Sequence, residues 1–254
     1  MKITFLGTGA AQGIPAINCD CEHCTRARSE GGKLARERSA VLFSLPGYEL
    51  LADTPPDVRI LVLKNNITHL DGILVTSSSY DHIGGIKEFE YWRENVDFLA
   101  EDTLFELIKQ EHWTPRLEEL MFHVPYYPGA SLYFGEVSIV PFAARQRRPI
   151  FGFSIKEKDR RAIYTSDTQG RLTNYARHFM RNCDLLIVNT PAFEPPAQEQ
   201  ITVVEALRLR EAVGARRLIL THIDHLNKPH DELERYVRQY PEVAVAYDGM
   251  VVEV

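Results

Sequence analysis

The sequence predicts a sheet-rich α/β protein in one domain. Three features lead there. Short apolar runs rich in β-branched residues recur along the 254 residues. Helical patterns separate several of these runs. No repeat, low-complexity tract, long linker or composition shift marks a boundary, so one chain-wide domain is expected.

The strand-like runs are Ile3–Leu6, Ala40–Leu45, Leu50–Ala52, Ile73–Val75, Val137–Val140, Phe151–Ile155, Ala162–Thr165, Leu185–Val188, Leu218–Leu220 and Val251–Val254. The first stops at Gly7-Thr8-Gly9, too soon for the apolar core of a signal peptide. It reads as a first strand, and the chain as cytoplasmic. The charged segment Lys156–Arg161 joins two runs as a hairpin turn would. Helical patterns cover Asp57–Lys64, Leu104–Glu111, Leu172–Met180 and Asp231–Gln239. The clearest is Val203–Ala212, where Thr202 followed three residues later by Glu205 makes a capping box. Strands that come in groups and then alternate with helices fit a mixed sheet architecture. Periodicity alone does not choose between a two-sheet sandwich and a single open sheet.

Bulk properties narrow the function. A hydrophobic content of 44% and a charged content of 25% are ordinary for a globular protein. A net charge of −6 speaks against a general nucleic-acid binder, which needs a basic surface. It leaves room for a small anionic substrate in a locally basic pocket. No stretch is apolar for long enough to span a bilayer. The expected partner is therefore a small molecule, not nucleic acid or membrane, and a homodimer is allowed.

Three of the four cysteines crowd together as Cys19, Cys21 and Cys24. In a chain read as cytosolic, such a trio points to metal before disulfide. Tetrahedral zinc then needs a fourth ligand. Cys183 adjoins an apolar run and reads as a small core residue.

The chemistry concentrates at strand ends. Ile73-Leu74-Val75 runs into Thr76-Ser77-Ser78-Ser79-Tyr80-Asp81-His82-Ile83-Gly84-Gly85. Polar residues at the C-terminal end of a strand are well placed to line a site. Adjacent Asp81 and His82 can offer a carboxylate oxygen and an imidazole nitrogen to one cation. Alone the pair is equally a surface ion pair or a helix cap. Two further strand ends carry similar donors: Tyr164-Thr165-Ser166-Asp167-Thr168 and Leu220-Thr221-His222-Ile223-Asp224-His225.

With these residues in view, the chain resembles the metallo-β-lactamase superfamily, in the branch of the PhnP phosphodiesterases and pyrroloquinoline-quinone synthesis protein B. The resemblance covers nearly the whole chain. It runs through Phe5–Gly9 with Gly13-Ile14-Pro15, Ala52–Asp57, Asp81–Gly85, Ser166–Thr168, Leu220–His222 and Tyr247–Met250. It implies an αββα sandwich, two mixed β-sheets flanked by helices, with the metal site at one edge. It further implies that Asp81, His82 and His222 hold one ion together with Asp167, the carboxylate that bridges two metals elsewhere in the family. Asp81 and His82 are the implied catalytic pair, and Asp53 supports their loop from behind. For the cysteine trio it implies His225 as the fourth ligand of a structural zinc. His23 is a local rival, though its neighbour Cys24 leaves little freedom for both to bind one ion.

The departures from the family pattern are informative. Where the family loop reads Thr-His-x-His-x-Asp-His, this chain has Ser77 and Ser79 at the two leading histidine positions. A third histidine, expected ahead of Phe151-Gly152, corresponds to Gln146. Hydroxyl and amide groups are poor zinc ligands beside imidazole, so the first of two metal sites is expected to be empty or very weak. A leaving-group histidine ahead of the Thr202 helix corresponds to Gln200, which supplies no proton at neutral pH. Arg145, Arg147 and Arg148 flank Gln146. They suit a phosphate or carboxylate, or form a solvated loop.

The resemblance thus implies a structural zinc and one pocket ion of iron, manganese or zinc. Three activities follow. The first is a mononuclear metalloenzyme acting on a small molecule, like the quinone-synthesis protein. The second is a PhnP-like hydrolase whose second metal arrives with substrate. The third is a non-catalytic metal- or ligand-binding module.

Overall fold

The computed structural model describes residues 1–144, 149–170, 172–195 and 200–254. Two seven-stranded sheets organise them. The first holds β1 (Lys2–Gly7), β2 (Ala40–Leu45), β3 (Tyr48–Ala52), β4 (Gly72–Leu74), β5 (Val96–Ala100), β6 (Met121–Pro125) and the last strand, β14 (Met250–Glu253). Its spatial order is β14-β1-β2-β3-β4-β5-β6. The second holds β7 (Leu132–Phe134), β8 (Val137–Ala143), β9 (Phe151–Glu157), β10 (Arg160–Tyr164), β11 (Leu185–Asn189), β12 (Arg217–Thr221) and β13 (Val243–Val245). It is ordered β13-β12-β11-β10-β9-β8-β7.

Each sheet begins antiparallel and turns parallel. In the first, β14, β1, β2 and β3 pair antiparallel, and β3 through β6 pair parallel. In the second, β7 through β10 are antiparallel and β10 through β13 parallel. Antiparallel neighbours need only a tight turn, and Lys158 at φ 52° makes the one between β9 and β10. Parallel neighbours need crossovers, and the helices fill them. After α1 (Glu22–Glu30), which precedes β2, come α2 (Val58–Lys64), α3 (Tyr80–Ile83), α4 (Asp102–His112), α5 (Pro115–Leu120), α6 (Asn174–Met180), α7 (Val203–Val213) and α8 (His230–Val237). The capping box of α7 is present: the Thr202 side chain accepts from the Glu205 N–H, and the Glu205 carboxylate accepts from the Thr202 N–H. Gly214 ends that helix at φ 67°.

The two sheets pack face to face. One apolar cluster joins Phe5, Phe43 and Leu51 of the first sheet to Phe153, Tyr164 and Ile187 of the second. A second cluster fills the layer beneath α6, α7 and α8. Strand β11 shows why its run is continuously apolar. Leu185 and Ile187 belong to the cluster between the sheets, and Leu186 and Val188 to the one under the helices. Each such side chain, fully buried, contributes about 1.5–3 kcal/mol. The result is the αββα sandwich that the resemblance implied.

Four strands lack the expected apolar signature. In β5, Asp97 interrupts the run because its carboxylate accepts from the Tyr48 hydroxyl at 2.8 Å. Strand β6 lies at a sheet edge, where Pro125 costs no ladder bond. Strands β7 and β13 are three residues each, too short for a period to show.

Candidate metal centres

Every chemistry-bearing loop leaves the C-terminal end of a strand. Asp53 follows β3, the segment 75–79 follows β4, Ser166 and Asp167 follow β10, and His222 follows β12. Asp53, Ser166 and His222 have φ of 66°, 50° and 57°. The left-handed region disfavours residues with a Cβ, by about 1–3 kcal/mol each. Backbone bonds hold two of these turns: Asp53 N–H donates to Leu74 O at 3.0 Å, and Ile223 N–H to Thr8 O at 2.9 Å.

Asp81, His82, Asp167 and His222 converge, each offering a ligand atom within 4.8 Å of the others. His82 Nε2 lies 3.4 Å from an Asp167 oxygen and 3.6 Å from an Asp81 oxygen. His222 Nε2 lies 3.5 Å from Asp167 and 4.0 Å from Asp81. The two imidazoles stack with centroids 5.6 Å apart. His82 and His222 are buried, and Asp81 is half-buried.

Each histidine is set from behind. His82 Nδ1 lies 2.8 Å from Asp53 Oδ2, and a carboxylate there demands a proton on Nδ1. Asp53 in turn accepts from the Thr76 N–H and hydroxyl at 2.9 and 2.8 Å. Ser166 donates to the Thr76 hydroxyl at 2.8 Å, tying the two sheets' loops together. His222 Nδ1 meets the Ser39 hydroxyl at 3.1 Å, and that hydroxyl donates to Gly9 O at 2.9 Å. With both Nδ1 atoms as donors, both Nε2 lone pairs face the cluster. Asn189 fixes Asp167 with a bond of 3.0 Å.

The donor set fits a divalent ion. His82 Nε2 is fully buried and faces only the Asp167 and Asp81 oxygens, at 3.4 and 3.6 Å, longer than a good hydrogen bond and a spacing that leaves room for an ion shared among them. The Asp81 and Asp167 carboxylates offer oxygens within 4.8 Å of each other, and two such charges repel by about 3–4 kcal/mol at an effective dielectric of about 20. Positive charge must therefore sit among them. Without an ion the His82 imidazole supplies it. Burial alone would push His82 down, but Asp53, Asp81 and Asp167 outweigh it and hold the imidazole well above its ordinary range. Burial would likewise raise the Asp167 carboxyl, but His222 and His82 outweigh it and hold it well below the usual carboxylate range.

A second group of donors joins Cys19, Cys21, Cys24 and His225. His225 Nδ1 lies 3.4 Å from Cys19 Sγ and 3.6 Å from Cys21 Sγ. Cys21 caps α1, its sulfur accepting from the Cys24 N–H at 3.4 Å. Burial pushes the Cys21 thiol up, but bonds with His225, the Cys24 backbone and Cys19 outweigh it and bring it down to about 6. Cys24 is pushed up to about 11 by burial. His23, the local rival, is buried in α1 outside this group. Three sulfurs and one imidazole make a tetrahedral zinc donor set. Cys183 is buried in the apolar layer, its thiol pushed up to about 12 by burial.

Other expected positions fall elsewhere. The Ser77 and Ser79 hydroxyls bond to each other at 3.0 Å. Gln200 is half-buried in the bend before Thr202. Arg145, Gln146, Arg147 and Arg148 lie outside the described residues. Sequence reasoning passed over Ser39, Ser166 and Asn189 as supports. Of these only Asn189, a polar residue closing an apolar strand, carried a readable signal.

Residues 48–223 match the family model described as a beta-lactamase superfamily domain. The chain belongs to the metallo-β-lactamase superfamily. Among superfamily relatives, coenzyme PQQ synthesis protein B of Acinetobacter baylyi is 24% identical over 314 residues, covering 100% of both chains. An octanoyltransferase of Porphyromonas gingivalis is 25% identical over 266 residues, covering 98% of this chain. The chain spans only 51% of that relative's length. Zn2+-bound PqqB from Methylobacterium extorquens superposes with a TM-score of 0.87 at 17% identity, covering 100% of both chains. A diphosphatase from the PhnP family superposes with a TM-score of 0.86 at 22% identity, covering 100% of this chain and 97% of that one. At such identities the superfamily structures establish the shared fold.

Proposed function

We propose that this chain is a metal-dependent enzyme acting on a small molecule, with one catalytic-type ion held by Asp81, His82, Asp167 and His222. His82 Nε2 carries this reading: it is buried, and it faces two carboxylates at 3.4 and 3.6 Å beside a second imidazole. When bound, iron, manganese or zinc would supply Lewis acidity, and iron would also supply oxygen chemistry. Asp53 and Ser39 keep the proton of each imidazole on Nδ1, so both Nε2 atoms remain donors toward the pocket. Asp81 and Asp167 supply the negative charge that favours a divalent cation. The full-length match to PQQ synthesis protein B supports a small-molecule substrate, and a net charge of −6 argues against a general nucleic-acid binder. Cys19, Cys21, Cys24 and His225 take a structural zinc in this reading, and Asp81 and His82 are the catalytic pair.

Likeness to a PhnP-family diphosphatase favours a second reading, a hydrolase that gains another ion with its substrate. Against it, the Ser77 and Ser79 hydroxyls are occupied with each other. Elemental analysis of protein purified anaerobically and without chelator separates the readings. One zinc and one further ion per chain are expected. Three ions would move the assignment to the two-metal hydrolase, and a lone zinc to a non-catalytic binding module.

A further inference from the structure

We propose that Cys21 and Cys24 are a redox-active dithiol, which hydrogen peroxide oxidises to a disulfide with release of zinc from the cysteine centre. The zinc release rests on the reading of Cys19, Cys21, Cys24 and His225 as a zinc site. The pair spans Cys21-Glu22-His23-Cys24, where α1 begins. Cys21 is the N-cap of that helix, with extended backbone at φ −60° and ψ 158°. Its side chain folds back over the first helical turn, and its sulfur accepts from the Cys24 N–H at 3.4 Å. The sulfurs of Cys21 and Cys24 lie within 4.8 Å of each other. Side-chain rotation within one turn, with no strand moved, brings such a pair to the S–S length of about 2.05 Å.

The two sulfurs are placed for different parts. Cys21 is half-buried, within reach of a small oxidant, and stands at the positive end of a nine-residue helix, a setting that makes a sulfur nucleophilic. Cys24 is fully buried, its sulfur accepting from the Ala16 N–H at 3.2 Å. It is shielded from the oxidant but close to the Cys21 sulfur, the position of a resolving thiol. Cys19 is a poorer partner. A bond from Cys19 to Cys21 would close a tight ring across one residue, and Arg28 holds the Cys19 carbonyl in place.

The Cys21 sulfur attacks one peroxide oxygen, the O–O bond breaks, and the other oxygen leaves as water once protonated. A sulfenic acid remains on Cys21. The Cys24 sulfur attacks the Cys21 sulfur, the S–S bond forms, and the sulfenic oxygen leaves as a second water. The two sulfurs together give up two electrons, which the peroxide takes. Two of the four zinc donors thereby lose their negative charge, and Cys19 and His225 alone are too few for a structural site.

Peroxide treatment of the zinc-loaded chain tests this, with a chromogenic chelator reading zinc and peptide mass spectrometry mapping the disulfide. One zinc released per Cys21–Cys24 disulfide is expected, and dithiothreitol followed by zinc should restore the starting state. The metal-stripped chain should form the same disulfide. Cys24→Ser should form none and should stall at a Cys21 sulfenic acid that dimedone traps, while Cys183→Ser should behave as the unaltered chain. Zinc retained without a disulfide overturns the proposal. So does a disulfide through Cys19 or Cys183, or zinc loss with only sulfinic acids that dithiothreitol does not reverse. Should Cys24→Ser fail to fold, disulfide mapping on the unaltered chain still decides. A chain that takes up no zinc before oxidation overturns the zinc reading instead, and mapping on the metal-free chain still judges the dithiol.

Discussion

The pocket around His82 and the cysteine centre around His225 share one short loop, since His222 and His225 are three residues apart, but they are assembled differently. The pocket draws its donors from the ends of β4, β10 and β12, which belong to both sheets. Hydrogen bonds from Asp53, Thr76, Ser39, Ser166 and Asn189 stand behind those donors. The cysteine centre takes three donors from six consecutive residues and one from afar. Its sulfurs meet chiefly one another, His225 and the first turn of α1. The pocket is therefore organised by the fold before any ion binds. The cysteine centre helps to organise the fold, because its ion would lock together the Cys19–Cys24 and His222–His225 loops, which otherwise meet through weak sulfur contacts to His225. One is a site with a scaffold, the other a scaffold with a site.

That difference orders the effects of breaking each. Cys21→Ser should release about one equivalent of zinc and destabilise the chain by several kcal/mol. Zinc analysis and thermal melts check it; retained zinc and an unchanged melting temperature would show the centre to be misassigned. Asp53→Asn should lower pocket affinity about 10- to 100-fold, and Ser39→Ala less, because a neutral hydroxyl polarises imidazole more weakly than a carboxylate. Both should leave the zinc in place. Equal losses for the two would contradict the ranking, and calorimetric titration reads them.

A smaller effect lies beneath the shared loop. Arg36 is buried and donates to Thr8 and Ala246 O, and meets His230 Nδ1 at 2.8 Å. Burial, then the Arg36 charge, brings His230 down to about 4. The unfolded chain takes up this proton below about pH 6.5, but the folded chain waits until about pH 4. The stability involved is thus present above pH 6.5 and is lost as pH falls toward 4. It amounts to about 2 kcal/mol after allowance for solvent screening near the half-exposed Glu234. His230→Gln should flatten the urea-denaturation profile across that window. An unaltered pH slope in the variant would remove His230 from the account.

The same contrast explains what could be read in advance. Cys19, Cys21 and Cys24 announce themselves by spacing, and Asp81, His82, Asp167 and His222 by standing at the ends of apolar runs. The supports of the pocket do not. Ser39 reaches His222 across 183 positions, and Ser166 reaches Thr76 across 90. A lone serine has no local pattern that betrays a distant partner. The fold was readable where a strand is buried on both faces, as in β11. It was not where a carboxylate such as Asp97 serves a neighbouring strand, or where three residues suffice for an edge.

The central claim is that the pocket holds one ion through His222 independently of the cysteine centre. Equilibrium titration of metal-stripped protein with ferrous iron and with zinc, in the unaltered and His222→Ala forms, tests it directly. The unaltered protein should show two classes of site. His222→Ala should keep the cysteine class and lose at least about tenfold in affinity at the pocket. Equal numbers of ions bound with equal affinity in both forms would contradict the claim and leave Asp81, His82, Asp167 and His222 as a hydrogen-bonded remnant.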